Sequence, residues 1–105
     1  MSGDIWITHQ DRFPTSNTLY HVVLDFLIDH APDPGTRSAL EEIRDHNLGL
    51  IDTSEFDSPA REHILGLLAH QLVPHAHAHL PTDMHERDQA ITELQKLADI
   101  AKSHL

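Results

Sequence analysis

The sequence predicts an all-α fold, a single-domain bundle of about four main helices with an extended N-terminal arm. Three observations predict it. Apolar residues recur at the helical period in four separate stretches. Each stretch is preceded by a residue able to cap a helix start, and the first three are followed by glycine, asparagine or proline breaks. The length of 105 residues suits one core and is too short for two. The expected organisation is residues 1–105 as one domain, with 1–14 an arm or short strand and 17–103 the helical body.

In the arm, Ile5 and Ile7 flank Trp6, an alternation that fits a short strand as well as an extended segment laid on helices. The first helix is expected over 17–30. Thr15, Ser16 and Asn17 offer capping oxygens, and Leu19, Val22, Val23, Phe26 and Leu27 keep the helical period. Tyr20, Leu24 and Ile28 widen the apolar surface, leaving His21, Asp25 and Asp29 as a polar stripe. A helix this apolar belongs at the centre of its bundle. Ala31-Pro32-Asp33-Pro34 stops it, because proline disfavours helix at the preceding residue.

The second helix is expected over 34–46, with Asp33 as cap and Pro34 in the first turn. Its narrow stripe of Ala39, Leu40 and Ile43 makes it peripheral. Asn47 and Gly49 are helix-stop residues. In the loop that follows, Leu48, Leu50, Ile51 and Phe56 are expected to anchor to the core, while Asp52, Glu55 and Asp57 stay in solvent. A short strand over 50–52, beside Ile5–Ile7, is an additional expectation. The third helix starts with Ser58 as cap and Pro59 first, and it ends or kinks near Val73 because of Pro74. Pro74 can itself start a continuation through Leu80. The last helix is expected over 83–103, capped by Thr82.

Charge carries the first functional information. Seventeen acidic residues against seven basic ones leave a formal net charge of −10. Such a surface repels nucleic acid and anionic membranes and attracts a cationic partner. Eleven histidines would bring that charge to +1 if all were protonated, so charge-driven contacts weaken as pH falls through about 6. The absence of cysteine excludes disulfides and thiolate metal sites, and it fits a reducing cytoplasm. No apolar run reaches the roughly 20 residues of a membrane span. The first residues lack the basic start and apolar middle of a signal peptide, so the expected location is cytoplasmic.

Candidate sites are few. His75-Ala76-His77-Ala78-His79 places His75 and His79 one helical turn apart, able to grip one metal ion, with His77 opposite. Continuing the third helix past Pro74 turns His75 and His79 toward the core side and His63, His70 and His77 toward solvent. Zinc needs three or four ligands, and the chain has no His-Glu-x-x-His pattern. The expectation is no resident cofactor, with adventitious zinc or nickel binding only. His21 and Asp25 form an ordinary i, i+4 surface pair. No phosphate loop, nucleophile elbow or dinucleotide fingerprint is present, so the chain is not expected to be an enzyme. The acidic residues Asp52, Glu55, Asp57 and Glu62 surround Phe56, an arrangement suited to a basic protein surface. Asp25 and Asp29 add a second acidic stripe.

The −10 charge, the helical pattern and the segment Gly49-Leu50-Ile51-Asp52-Thr53-Ser54-Glu55-Phe56-Asp57-Ser58-Pro59 resemble the small acidic immunity proteins of bacterial toxin–immunity systems. That resemblance implies a non-catalytic inhibitor that neutralises a basic toxin domain, a nuclease among the candidates. It assigns no individual residue. Two other readings stay open: a metal-binding or metal-responsive protein using His75 and His79, and a homodimeric structural or adaptor protein.

Overall fold

The structure is a computed structural model that describes residues 2–46 and 48–105. The first residue of the arm and the stop residue Asn47 lie outside the described residues. The chain is not all-α. Among the described residues, five α-helices pack with a three-stranded sheet, and the order of strands and α-helices is β1 (Ser2–Trp6), β2 (Arg12–Ser16), α1 (Asn17–Asp29), α2 (Pro34–Asp45), β3 (Leu50–Asp52), α3 (Ser58–His70), α4 (Leu72–His79) and α5 (Arg87–Lys102).

The sheet order is β2-β1-β3. β1 and β2 form an antiparallel hairpin, and β3 joins the other edge of β1 in parallel. In register, Phe13, Ile5 and Ile51 lie side by side across the three strands, and all three are buried. The arm is therefore the central strand, and the strand over 50–52 runs beside it as expected. The second strand was not expected, and it contains Pro14. Proline is tolerated there because β2 is an edge, where a missing N–H costs no ladder bond. The hairpin loop is tied by Thr8, whose Oγ1 accepts from the amides of Gln10 (3.2 Å) and Asp11 (2.9 Å).

β1 alternates as strands do. Gly3 and Ile5 are buried on one face, as is Ile7 just past the strand, and Asp4 and Trp6 are half-buried on the other. Arg12, opposite Trp6 in the hairpin, stacks its guanidinium 4.1 Å from the Trp6 ring centroid. Tyr20 of α1 fills the space that the missing Gly3 side chain leaves. It is 2 % exposed, yet its hydroxyl has no hydrogen-bond partner, and burial pushes its phenol pKa up. Removing a partnerless buried hydroxyl relieves a desolvation cost. Tyr20→Phe is therefore expected to stabilise the fold by about 1 kcal/mol, read by chemical denaturation. A loss of stability would mean the hydroxyl has a partner in solution.

The helices follow their local signals with shifts of a few residues. Ser16 caps α1, accepting from the Leu19 amide at 3.3 Å. α1 is the central helix, with seven of its thirteen residues buried. Asp33 caps α2 and accepts from the Thr36 amide at 2.7 Å, a bond that holds its carboxyl below the usual value. Asp57, rather than Ser58, caps α3, since its carboxylate reaches the Ala60 amide at 3.0 Å. The break after α3 falls at Gln71, three residues before Pro74. Pro74 lies in the first turn of α4, where a helix needs no amide from it, so it starts the continuation rather than ending α3. α5 begins at Arg87, four residues later than expected. Residues 82–83 and 85–86 form turns instead, and Glu86 enters the helix in the left-handed region at φ 61°.

Candidate functional site

The segment over 49–59 is built mainly by structural demands. Thr53 is fully buried, and its hydroxyl donates to the carbonyls of Trp6 (3.0 Å) and Ile7 (2.8 Å). Arg61 of α3 donates to the same Ile7 carbonyl at 2.8 Å. These bonds pin the 3-10 turn Thr53–Glu55 and the start of α3 to the end of the central strand.

The acidic residues of this segment separate into two kinds. Asp52, expected in solvent, is only 9 % exposed. Its carboxylate accepts from the Ser54 amide (3.0 Å) and hydroxyl (2.7 Å) and caps the 3-10 turn. Asp57 is exposed but occupied as the α3 cap. Both are consumed by local backbone needs, which explains their positions without a partner. Glu55 and Glu62 are exposed and have no such task.

The structure adds residues that sequence reasoning missed. Phe56 is half-buried against the core, and beside it a groove of about 480 Å³ opens between α2 and the 3-10 turn. Ala39, Glu42, Ile43 and His46 of α2 line one wall, and Leu48, Glu55 and Phe56 complete it. Leu48, expected to anchor in the core, is 61 % exposed at the groove. Glu42 and Glu55 supply the charge. The two arginines of α2 are engaged elsewhere: Arg37 with Glu41 (4.0 Å), and Arg44 with Glu41 (3.7 Å) and Asp45 (3.3 Å). Among the described residues, Glu42, Glu55 and Glu62 take part in no ion pair. The groove thus combines an apolar floor with carboxylates that form no ion pair among the described residues. No sequence signal marked Glu42 or Leu48, since the helix and loop that carry them meet only in the folded chain.

The second acidic stripe lies elsewhere. Asp25 and Asp29 are exposed on α1, and with Val22 and Phe26 they line a smaller cleft of about 210 Å³. Its other wall is α4, with His75, Ala76, His79 and Leu80. The structure therefore brings together Asp25, Asp29, His75 and His79, which the sequence placed in two unrelated candidate sites. His75 is half-buried, as the helical projection indicated, whereas His79 is exposed along with His63, His70 and His77. The rings of His75 and His79 are 4.3 Å apart and inclined by 36°, packed against each other rather than aimed at one point. Among the described residues, no group of three or more histidines, aspartates and glutamates is arranged to hold a metal ion. His21 lies beside Tyr20, its ring edge-on at 5.5 Å.

Among the described residues, no helix is long and apolar enough to cross a membrane. No protein-family model matches the chain, and neither a curated protein nor a solved structure is found similar to it.

Proposed function

We propose that this protein is a non-catalytic inhibitor of the immunity type, which binds and covers a cationic surface on a basic protein such as a toxin domain. The observation that carries the reading is the groove at Phe56. An exposed leucine and a half-buried phenylalanine sit between Glu42 and Glu55, on a chain of net charge −10. An apolar centre rimmed by unpaired charge of one sign suits a partner with an apolar anchor flanked by lysine or arginine. The net charge would speed the encounter and the groove would hold the complex. Asp52 and Asp57 support this site by shaping its loop, and Asp25 and Asp29 contribute only to the long-range field.

The test begins with capture of partners from host lysate on protein carrying a histidine-free tag. A single basic protein in near-stoichiometric amount is the expected result, and its absence would count against the inhibitor reading. Association kinetics with the captured partner then place the contact. Reversing Glu42, Glu55 and Glu62 to lysine is expected to slow association at low salt by roughly tenfold or more. Asp52 and Asp57 stay unchanged, since their loss would disturb the loop itself. Reversal of Asp83, Asp88 and Asp99 changes net charge equally and is expected to slow association much less. Equal effects from the two variants would leave net charge alone as the cause and remove the groove from the interface.

A further inference from the structure

Three imidazoles from two helices meet at the seam between α1 and α4. His30, the residue that ends α1, lies 5.8 Å from His75, and His75 lies 4.3 Å from His79. Phe26 packs against two of them, 4.6 Å from the ring of His30 and 4.8 Å from that of His75. His30 is held in place by a bond of 2.9 Å between its Nδ1 and the Phe26 carbonyl. His75 sits in the middle and is half-buried, while the outer two rings reach solvent.

We propose that this seam is an acid-sensitive latch, in which neutral rings of His30, His75 and His79 pack closed around Phe26 and their protonation loosens α4 from α1. Charging the middle ring would place a cation in a half-buried seam, against Phe26 and between two further imidazoles. The groups that face it decide the sign. Burial is the largest influence on His75 and lowers its pKa, and His79 and His30 lower it further. Asp29 of α1 opposes them with the smallest effect. Asp25 lines the same cleft but remains exposed. Arg87 of α5 binds the carbonyls of His77 (2.9 Å) and Leu80 (3.5 Å), so it holds the far end of α4 whatever the state of the rings. The charged residues of α3 (Arg61, Glu62, His63 and His70) are not among the groups that act on His75.

A histidine held below its unfolded value near 6.5 binds its proton more readily when the chain opens. Its contribution to the closed seam is complete above about 6.5 and is lost as pH falls through the lower, folded value. Opening would uncover Phe26 and Ala76, both buried in the closed state.

The test is nuclear magnetic resonance on the full chain with chelator present, so that adventitious metal plays no part. The histidine ring signals are titrated, and amide exchange is compared at about pH 7.5 and about pH 5 after correction for intrinsic rates. His75 is expected to titrate below the ordinary imidazole value near 6.5. Protection of the α4 amides is expected to fall roughly several-fold, while α3 and α5 hold. His75→Phe keeps a packed ring without a charge and is expected to remove the acid response of α4. Any of three results would overturn the latch: His75 titrating at or above about 6.5, protection lost equally from α3 and α5, or an acid response unchanged in His75→Phe. The ring titration needs only the natural chain, so it decides the matter even where the variant folds poorly.

Discussion

Gly3→Ala is expected to destabilise the protein by about 3 kcal/mol or more, at or beyond the upper end of ordinary overpacking. A methyl group at this position would overlap Cγ and Cδ1 of Tyr20 and lie 2.8 Å from its Cβ. Tyr20 has nowhere to retreat, because it is buried on the central helix. Gly3 has little freedom either, since it pairs with Thr15 of β2 and the next residue, Asp4, is held on the other edge, its amide donating to the Gly49 carbonyl at 2.9 Å. The clash must therefore separate α1 from the sheet or break the strand register. Against a typical total stability of roughly 5–15 kcal/mol, such a loss is severe. Chemical denaturation checks it, and a double variant identifies the cause. Gly3→Ala with Tyr20→Ala, which removes Cγ and Cδ1, is expected to recover part of the loss relative to the sum of the single changes, because the two sites touch. Simple additivity would show that the damage at Gly3 comes from something other than Tyr20.

Thr53→Val is the second large effect, expected at about 2 kcal/mol. Valine keeps the shape and the burial but removes the donor that serves Trp6 and Ile7. The Ile7 carbonyl would then depend on Arg61 alone. Thr53→Ser, which keeps the hydroxyl, is expected to lose less. Removing Arg61 as well, with Arg61→Leu, leaves that carbonyl without either side-chain donor, and the combined loss is expected to exceed the sum. Because these bonds seat the loop that carries Glu55 and Phe56, exchange at the 3-10 turn should rise in both variants. A Thr53→Val protein as stable as the natural one would mean that the hydroxyl contributes nothing to holding loop and strand together.

The acidic segment illustrates how far a local reading extends. The cluster Asp52, Glu55, Asp57 and Glu62 around Phe56 was visible in the sequence, but its division of labour was not. A carboxylate followed two or three residues later by a backbone amide in a turn becomes a cap, and that depends on the dihedral angles of the turn. Asp52 and Asp57 made such turns, whereas Glu55 and Glu62 did not. Glu42 lies outside the segment and joins it only because α2 packs beside the loop. The histidine cluster was half legible. The spacing of His75 and His79 placed them on one helical face, while His30, 45 residues earlier, carried no sign of belonging to it.

The sequence by itself determined the helices, their caps within a residue or two in α1 to α3, and the charge. These depend on neighbours three or four positions apart, where period and capping chemistry act directly. Only the tertiary structure decided the sheet and the sites. β1 is short and holds glycine and aspartate, and β2 holds proline, so neither has much strand propensity of its own. They become strands because Ile5 pairs at once with Phe13 and with Ile51, 46 residues away, burying one apolar row against α1. That free energy comes from contacts distant in sequence, and so do the groove at Phe56 and the histidine seam, whose walls meet only after the chain has closed on its core.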